Sequence, residues 1–509
     1  MSTEGAASTT FIRTAADIPA ARAFDDPGGA CLVDSERRLD NRALAAAVAH
    51  TSGHLSRLGV GPGDVVAVAL HNRIELVVTM FAAWWCGAAL TPVNPVLTDT
   101  EVAHQLQDSR ARVLVGDERG AALASASGID FLSVADVIPA GDPGASAWAD
   151  APGGEGAAEQ DAAFVIYTSG TTGRPKGCVL THANVDAMAT AIVRHLRLDP
   201  TDRSLLVLPL FHVNGLLVGV LSPLLAGGSV VVAPRFQPTT FWDLVEWERP
   251  TYFSAVPTMY ALVEAHTTRP VDTSSLRFAI CGAAPAPAEL ITRFEERFGV
   301  VLLEGYGLSE CSVAATINPL DGPRKPGTVG PALPGVEVVV AAPDGTHLPP
   351  GEVGQVLVRG ATVMRGYLGR PEETAEVLVD GWLQTGDVGR LDDDGYLTLV
   401  DRLKDMIIRG GENIYPKEIE QVLYEHPAVL EAAVVGVQDA TYGEVPVAHV
   451  ALRPGNEDVD GEVLRQHCAE HLARYKVPTE VLLHPSLPKN SVGKLVKGTL
   501  RSGPHQPLR

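Results

Sequence analysis

Residues 167–177 read YTSGTTGRPKG. They hold three glycines, four Ser/Thr hydroxyls, an arginine and a lysine. The run before them, Ala162-Ala163-Phe164-Val165-Ile166, is wholly apolar and reads as a buried strand. Residues 181–196 can begin a helix. Glycines let backbone N–H groups approach a ligand closely, and hydroxyls add donors, so the loop is suited to a phosphate group. A strand, a glycine-rich loop and a helix in succession form a common phosphate cradle. The usual P-loop is excluded, because Lys176 is followed by Gly177 and not by the Ser or Thr that would hold magnesium.

Outward from this loop, residues 41–58 read as a helix, 65–70 as a strand, 75–86 as a helix and 112–115 as a strand. That alternation predicts parallel sheets covered by helices. Residues 140–160 are rich in Gly, Ala, Asp and Pro and read as an exposed connection. Beyond residue 325 short β-rich runs appear at 336–340, 355–358 and 396–400. Pro343-Asp344-Gly345 and Asp392-Asp393-Asp394-Gly395 are among the turns that separate them, as in a small antiparallel unit. Helical pattern returns after Asp401, with Pro416 well placed to start a helix. Strands are expected at 432–437 and 445–452. The fold class is therefore α/β. A large N-terminal domain, 1–401, combines two helix-covered sheets with a β-rich subdomain at about 320–401. A hinge is expected at 402–404, followed by a mobile α+β C-terminal domain, 405–509.

Composition narrows the function. With 509 residues the chain can hold several domains, and its formal charge of −21 disfavours nucleic acid and anionic membrane surfaces. Six scattered cysteines form no CxxC pair, so neither a zinc site nor a disulfide framework is expected, and buried thiols in a reducing cytoplasm are. Met1 to Ala20 shows no secretory pattern, and the final Pro507-Leu508-Arg509 is not a peroxisomal address. Residues 76–90 are too short to span a membrane. Pro223 and Gly227-Gly228 break 216–233 into a helix, a turn and a strand.

Other stretches carry more chemistry than packing needs: PLFHVNG at 209–215, CGAAPAPAEL at 281–290, EGYGLSE at 304–310, GWLQTGDVG at 381–389, DRLKDMIIRGGENIYP at 401–416 and PKNSVGKLVK at 488–497. Singly each is weak. A histidine in an apolar run is most often a core residue, and Asp387 reads as an exposed aspartate in a turn. In this order and spacing the chain resembles the adenylate-forming superfamily of acyl-CoA synthetases, aryl-CoA ligases and luciferases, from about residue 30 to 500.

The resemblance implies roles residue by residue. Thr168, Ser169, Gly170, Thr171, Thr172, Gly173 and Lys176 match the loop that closes on the phosphates of ATP. Gly282, Ala283, Ala284 and Tyr306, with Gly307 and Ser309, match the adenine slot. Many relatives have Thr where Ser309 stands. Glu310, with Thr171, matches the Mg2+ site. Asp387 matches the ribose-binding carboxylate, and Arg402 its partner. His212 resembles the gate of an acyl pocket lined by Val213, Asn214, Gly215, Val256, Gly307, Leu308 and Cys311. Lys494 matches the adenylation lysine, Lys404 the hinge, and Arg409, Gly410 and Gly411 the CoA tunnel. The implied reaction joins a small-molecule carboxylic acid to CoA through an acyl-AMP, with ATP and Mg2+. Transfer to a carrier-protein thiol, an enzyme of one half-reaction only, and an inert nucleotide-binding protein are the alternatives. The pocket residues are small or apolar and favour an uncharged tail. Local likeness of 209–216 and 319–330 to oxalate ligases points the other way. Malonate-activating relatives carry an arginine where this chain has Leu262.

Overall fold

The computed structural model describes residues 14–139, 158–168, 175–284, 286–410, 412–439, 441–489 and 495–501. Four sheets organise them.

The first has eight strands in the spatial order Thr316–Ile317, Val301–Tyr306, Phe278–Cys281, Tyr252–Ala255, Arg203–Leu206, Ser229–Val232, Ala30–Val33, Arg38–Asp40. Its six central strands are parallel, and both edge strands are antiparallel. The central strands are almost continuous apolar runs because helices cover both faces. The second sheet has seven strands, with Val65–Ala69, Ala89–Pro92, Val113–Gly116, Asp130–Ser133 and Ala162–Thr168 in parallel. Helices Asn41–Arg57 and Ile74–Trp85 fall within two residues of the expected bounds. Asp40 caps the first of them, accepting from the Ala43 amide at 2.7 Å.

One expectation fails at the opening motif. Residues 176–181 form a strand, Lys176–Thr181, antiparallel to Ala162–Thr168, so the glycine-rich loop closes a hairpin and does not lead straight into a helix. Cys178, Val179 and Leu180 are buried on both sides of that strand, which suits extended backbone better than a helical stripe. The helix His182–Leu196 follows within one residue of the expected 181–196, under a capping box between Thr181 and Asn184.

The third sheet is the β-rich unit: Val336–Ala341, Gly354–Gly360, Trp382–Leu391, Leu378–Val379 and Leu397–Arg402, all antiparallel. It is not self-contained, because Gly366–Tyr367 leaves it to pair with Lys176–Thr181 of the second sheet. The fourth sheet, from Ile407 onward, places Gly443–Leu452 and Val429–Asp439 beside helices Pro416–Glu425 and Gly461–His471, around its own apolar core. All six cysteines are free; five are buried and Cys86 is half-buried. Among the described residues no helix is long and apolar enough to cross a membrane.

Candidate active site

The C-terminal ends of the parallel strands in the first sheet face the β-rich unit, and the motif residues gather there. Tyr306 ends the strand Val301–Tyr306, and its hydroxyl donates to Asp387 Oδ2 at 2.7 Å. Arg402 Nε lies 2.7 Å from Asp387 Oδ1. Asp387 and Arg402 are direct partners across two antiparallel strands. The sequence expectation of an exposed turn is wrong for Asp387, which is 5% exposed and inside a strand. The turn signal arises from a bulge. Between Gln384 and Val388 the facing strand advances only from Leu357 to Gln355, and Gly386 takes φ +70°. The bulge aims the carboxylate inward, where burial also holds the Tyr306 phenol well above its ordinary pKa. A carboxylate offers about four lone-pair sites, so Asp387 can accept further hydrogen bonds beyond these two.

Gly282, Ala283 and Ala284 follow the strand Phe278–Cys281, and Gly282 lies against the Gly305 carbonyl. Ala283 is held at φ +66°, a left-handed conformation that an alanine adopts only under constraint. A Cβ on Gly307 would collide with the Val313 carbonyl, so this glycine serves the close packing of its own loop. Sequence reasoning gave no role to Glu304, two residues before Tyr306. Its Oε1 accepts from the Ala286 amide at 3.1 Å, and its Oε2 has no partner among the described residues. Burial raises this carboxyl to about 7.

On the phosphate side, Thr168 ends its strand, and Ser169, Gly170, Thr171, Thr172 and Gly173 lie outside the described residues. Lys176 forms an ion pair with Glu373 and stands 5.1 Å from the centroid of the Tyr367 ring. The Tyr367 hydroxyl donates to Glu310 Oε1 at 2.9 Å. Tyr367, which the motifs did not single out, thus connects the lysine of the loop to Glu310. Ser309 and Glu310 share a single 3-10 turn with Cys311.

His212, Val213, Asn214 and Gly215 open a helical segment over 213–225 that covers the sheet face. Burial lowers the His212 imidazole to about 4, so it is neutral, and its Nε2 has no partner among the described residues. The same is true of Asn214 Oδ1. A Cβ on Gly215 would stand 2.6 Å from the Pro209 carbonyl oxygen, which explains a glycine there. Val213, Val256 and Cys311 are buried, and Leu308 is half-buried. Leu262 is 43% exposed.

Lys404 lies in the 3-10 turn Leu403–Asp405, directly after the last strand of the third sheet. The strand Ile407–Arg409 turns at Gly410, φ +59°. Arg409 donates to the Tyr475 carbonyl at 2.7 Å and stacks 5.0 Å from the Tyr442 ring centroid. Gly411 and Lys494 lie outside the described residues. Lys417 ties the third and fourth sheets together. Its amide donates to Asp401 Oδ2 and its Nζ to the Leu399 carbonyl, each at 2.7 Å. Burial lowers its pKa, and the Glu304, Asp401, Glu420 and Asp387 carboxylates partly offset that.

Residues 14–368 match the family described as AMP-binding enzyme, and residues 418–494 match the AMP-binding enzyme C-terminal domain. The chain belongs to the AMP-binding enzyme family. Within this adenylate-forming superfamily it is an AMP-forming acyl-CoA synthetase. It is 40% identical to a feruloyl-CoA synthase from Amycolatopsis sp over 485 residues, covering 95% of this chain and 97% of that one. A 2-succinylbenzoate–CoA ligase from Bacillus licheniformis is 35% identical, with 94% and 98% covered. Among solved structures, ATP-bound MatB from Rhodopseudomonas palustris superposes with a TM-score of 0.88 at 32% identity, covering 96% and 98% of the two chains. The Bacillus subtilis o-succinylbenzoate-CoA synthetase in complex with its acyl-adenylate intermediate superposes with a TM-score of 0.87 at 31% identity, covering 97% and 99%.

Proposed function

We propose that this AMP-binding family enzyme is an ATP-dependent acid–CoA ligase. It activates a carboxylic acid as the acyl-AMP, releases pyrophosphate, and transfers the acyl group to the thiol of CoA. The carrying observation is the Tyr306–Asp387–Arg402 cluster, in which the buried Asp387 carboxylate takes the Tyr306 hydroxyl and the Arg402 guanidinium, one strand away from Gly282. A nucleoside fits that cluster: a flat base against the small residues and the Tyr306 ring, and a ribose diol donating to Asp387. Glu310 suits Mg2+, which typically takes one or two carboxylates and completes its shell with phosphates and water. Bound there, the ion neutralises phosphate charge as the acid attacks.

The chain's own residues do the rest. Thr168 through Gly173 and Lys176 wrap the departing phosphates. Lys176 must exchange Glu373 for them, so the ion pair is a resting arrangement of that lysine. His212, neutral at physiological pH, closes the acyl pocket without repelling or trapping the carboxylate. Lys494 supplies a mobile positive charge to the transition state of the first half-reaction. A thiol must then approach the same carbonyl. We assign this exchange to rotation of the C-terminal domain, residues 405–509, about Lys404, which brings Arg409, Gly410 and Gly411 to the CoA tunnel. The free cysteines suit the cytoplasm.

The pocket residues Val213, Val256, Leu308 and Cys311 favour a monocarboxylic acid with an aliphatic, cyclic or aryl tail. Each buried methylene contributes about 0.8 kcal/mol, whereas a buried unpaired second carboxylate costs several. With ATP, Mg2+ and CoA, such acids should exceed malonate and oxalate in kcat/KM by at least about tenfold, read as pyrophosphate release and thioester formation. Preference for either diacid overturns the pocket reading; ATP cleavage to ADP overturns the reaction class.

A further inference from the structure

Where the helical segment 213–225 crosses the first sheet, the buried polar atoms Asn214 Oδ1 and Ser254 Oγ have no partner among the described residues. The strand Tyr252–Ala255 lies between Arg203–Leu206 and Phe278–Cys281. Side chains alternate along it, so Tyr252, Ser254 and Val256 face the same side. Tyr252 is fully buried there, and its hydroxyl donates to the Val218 carbonyl at 2.9 Å. That bond pins the helical segment across this strand. Val218 belongs to the π-helical stretch Leu217–Leu221, whose widened turn frees a carbonyl for such a bond.

The segment also runs opposite to the strands. It links the end of Arg203–Leu206 to the start of Ser229–Val232, and these two strands are parallel neighbours. Moving back one turn from Val218 to Asn214 advances about 6 Å toward the catalytic edge. Moving from Tyr252 to Ser254 advances about 6.6 Å in the same direction. Asn214 and Ser254 therefore fall at about the same height along the strand direction, one on the helical segment and one on the sheet. Ser254 is 6% exposed, and its Oγ has no partner among the described residues; neither has Asn214 Oδ1. Their neighbours on this face, Leu206, Val218, Val256 and Ile280, are buried aliphatics with no side-chain hydrogen bond to offer.

We propose that Asn214 and Ser254 form a reading pair for a neutral hydroxyl on the tail of the acid. The hydroxyl donates to Asn214 Oδ1 and accepts from the Ser254 hydroxyl. The substrate class is thus a hydroxylated monocarboxylic acid, aliphatic or phenolic. This inference rests on the ligase reading and names the class of acid that the ligase takes. A purely hydrocarbon tail would leave both buried groups unpaired, which costs binding. A second carboxylate would desolvate a charge beside two neutral groups and four aliphatics. Pockets built to hydrogen-bond a substrate hydroxyl discriminate strongly against the analogue that lacks it.

The test compares matched acids that differ only by the hydroxyl, in one ω-hydroxyalkanoate pair and one phenolic pair. Initial rates of acyl-AMP formation give kcat/KM for wild type, Asn214→Leu and Ser254→Ala. Wild type should prefer the hydroxylated member of at least one pair by roughly ten- to hundredfold, and the pair that shows it separates an aliphatic from a phenolic source. Both variants should collapse that ratio toward one. Because a ratio is read within each protein, a poorly folded variant does not imitate the result. Equal or better use of the unhydroxylated acids by wild type overturns the proposal, as does a preference that survives both substitutions. Neither result touches the ligase reading, which instead falls if no acid in either pair supports acyl-AMP formation.

Discussion

Glu304 provides a quantitative test of the nucleotide side of the site. Its carboxyl is 5% exposed, accepts one backbone amide and leaves Oε2 unpartnered. Burial raises it from 4.5 to about 7, with Lys417 acting weakly in the opposite direction. The folded-state pKa lies above the unfolded one. Between them the unfolded chain gives up its proton first, so stability is lost as pH rises from the unfolded value through 7. At ~1.36 kcal/mol per tenfold change in proton affinity, that rise amounts to a penalty of about 3 kcal/mol at pH 8, but only about 1 kcal/mol at pH 5. Glu304→Gln imitates the protonated acid and keeps the acceptor for the Ala286 amide. The variant should therefore be more stable than wild type at pH 8, and its advantage should shrink by about 2 kcal/mol at pH 5. Urea unfolding followed by tryptophan fluorescence at the two pH values measures the difference. An advantage that does not change with pH, or a loss of stability at pH 8, would refute a buried carboxyl titrating near neutrality. Lys417→Met should strengthen the effect in wild-type Glu304, because it removes a cation that favours the ionised form.

Asp387→Asn keeps the size of the side chain but removes the charge that Arg402 pairs with and turns one acceptor into a donor. It should raise the KM for ATP by roughly ten- to hundredfold, measured by steady-state pyrophosphate release, while the KM for the acid moves little. Lys494→Ala should cut acyl-AMP formation by about two orders of magnitude and largely spare conversion of supplied acyl-AMP to thioester; equal loss in both steps contradicts its role. Lys404→Pro restricts φ at the pivot, so single-turnover pyrophosphate release should persist while thioester formation falls, as stopped-flow and quench assays would report.

Periodicity made much of the fold legible. The helices Asn41–Arg57 and Pro416–Glu425 carry clear apolar stripes and recognisable starts, and the parallel strands are short apolar runs between turns. The strand Lys176–Thr181 is not legible in the sequence, because it begins with Lys-Gly and is then apolar on both faces, which shows no alternation. Asp387 reads as a turn residue because a glycine-centred bulge has the same composition as a turn. The motifs located Tyr306, Asp387 and Arg402 individually, but their contact joins strands of two sheets and depends on tertiary packing. Glu304, Ser254 and Tyr367 carried no sequence signal for a different reason. A buried carboxylate or hydroxyl becomes notable only when its surroundings leave it unsatisfied, and those surroundings come from distant parts of the chain.

The central claim is that the acid's own carboxylate attacks the α-phosphorus of ATP. Turnover with an acid labelled with oxygen-18 in both carboxylate oxygens, in the presence of ATP, Mg2+ and CoA, tests this directly by mass spectrometry of the products. The account predicts one labelled oxygen in AMP, one retained in the thioester carbonyl, and unlabelled pyrophosphate. Label appearing in inorganic phosphate alongside ADP, or AMP that carries no label while thioester accumulates, would contradict it.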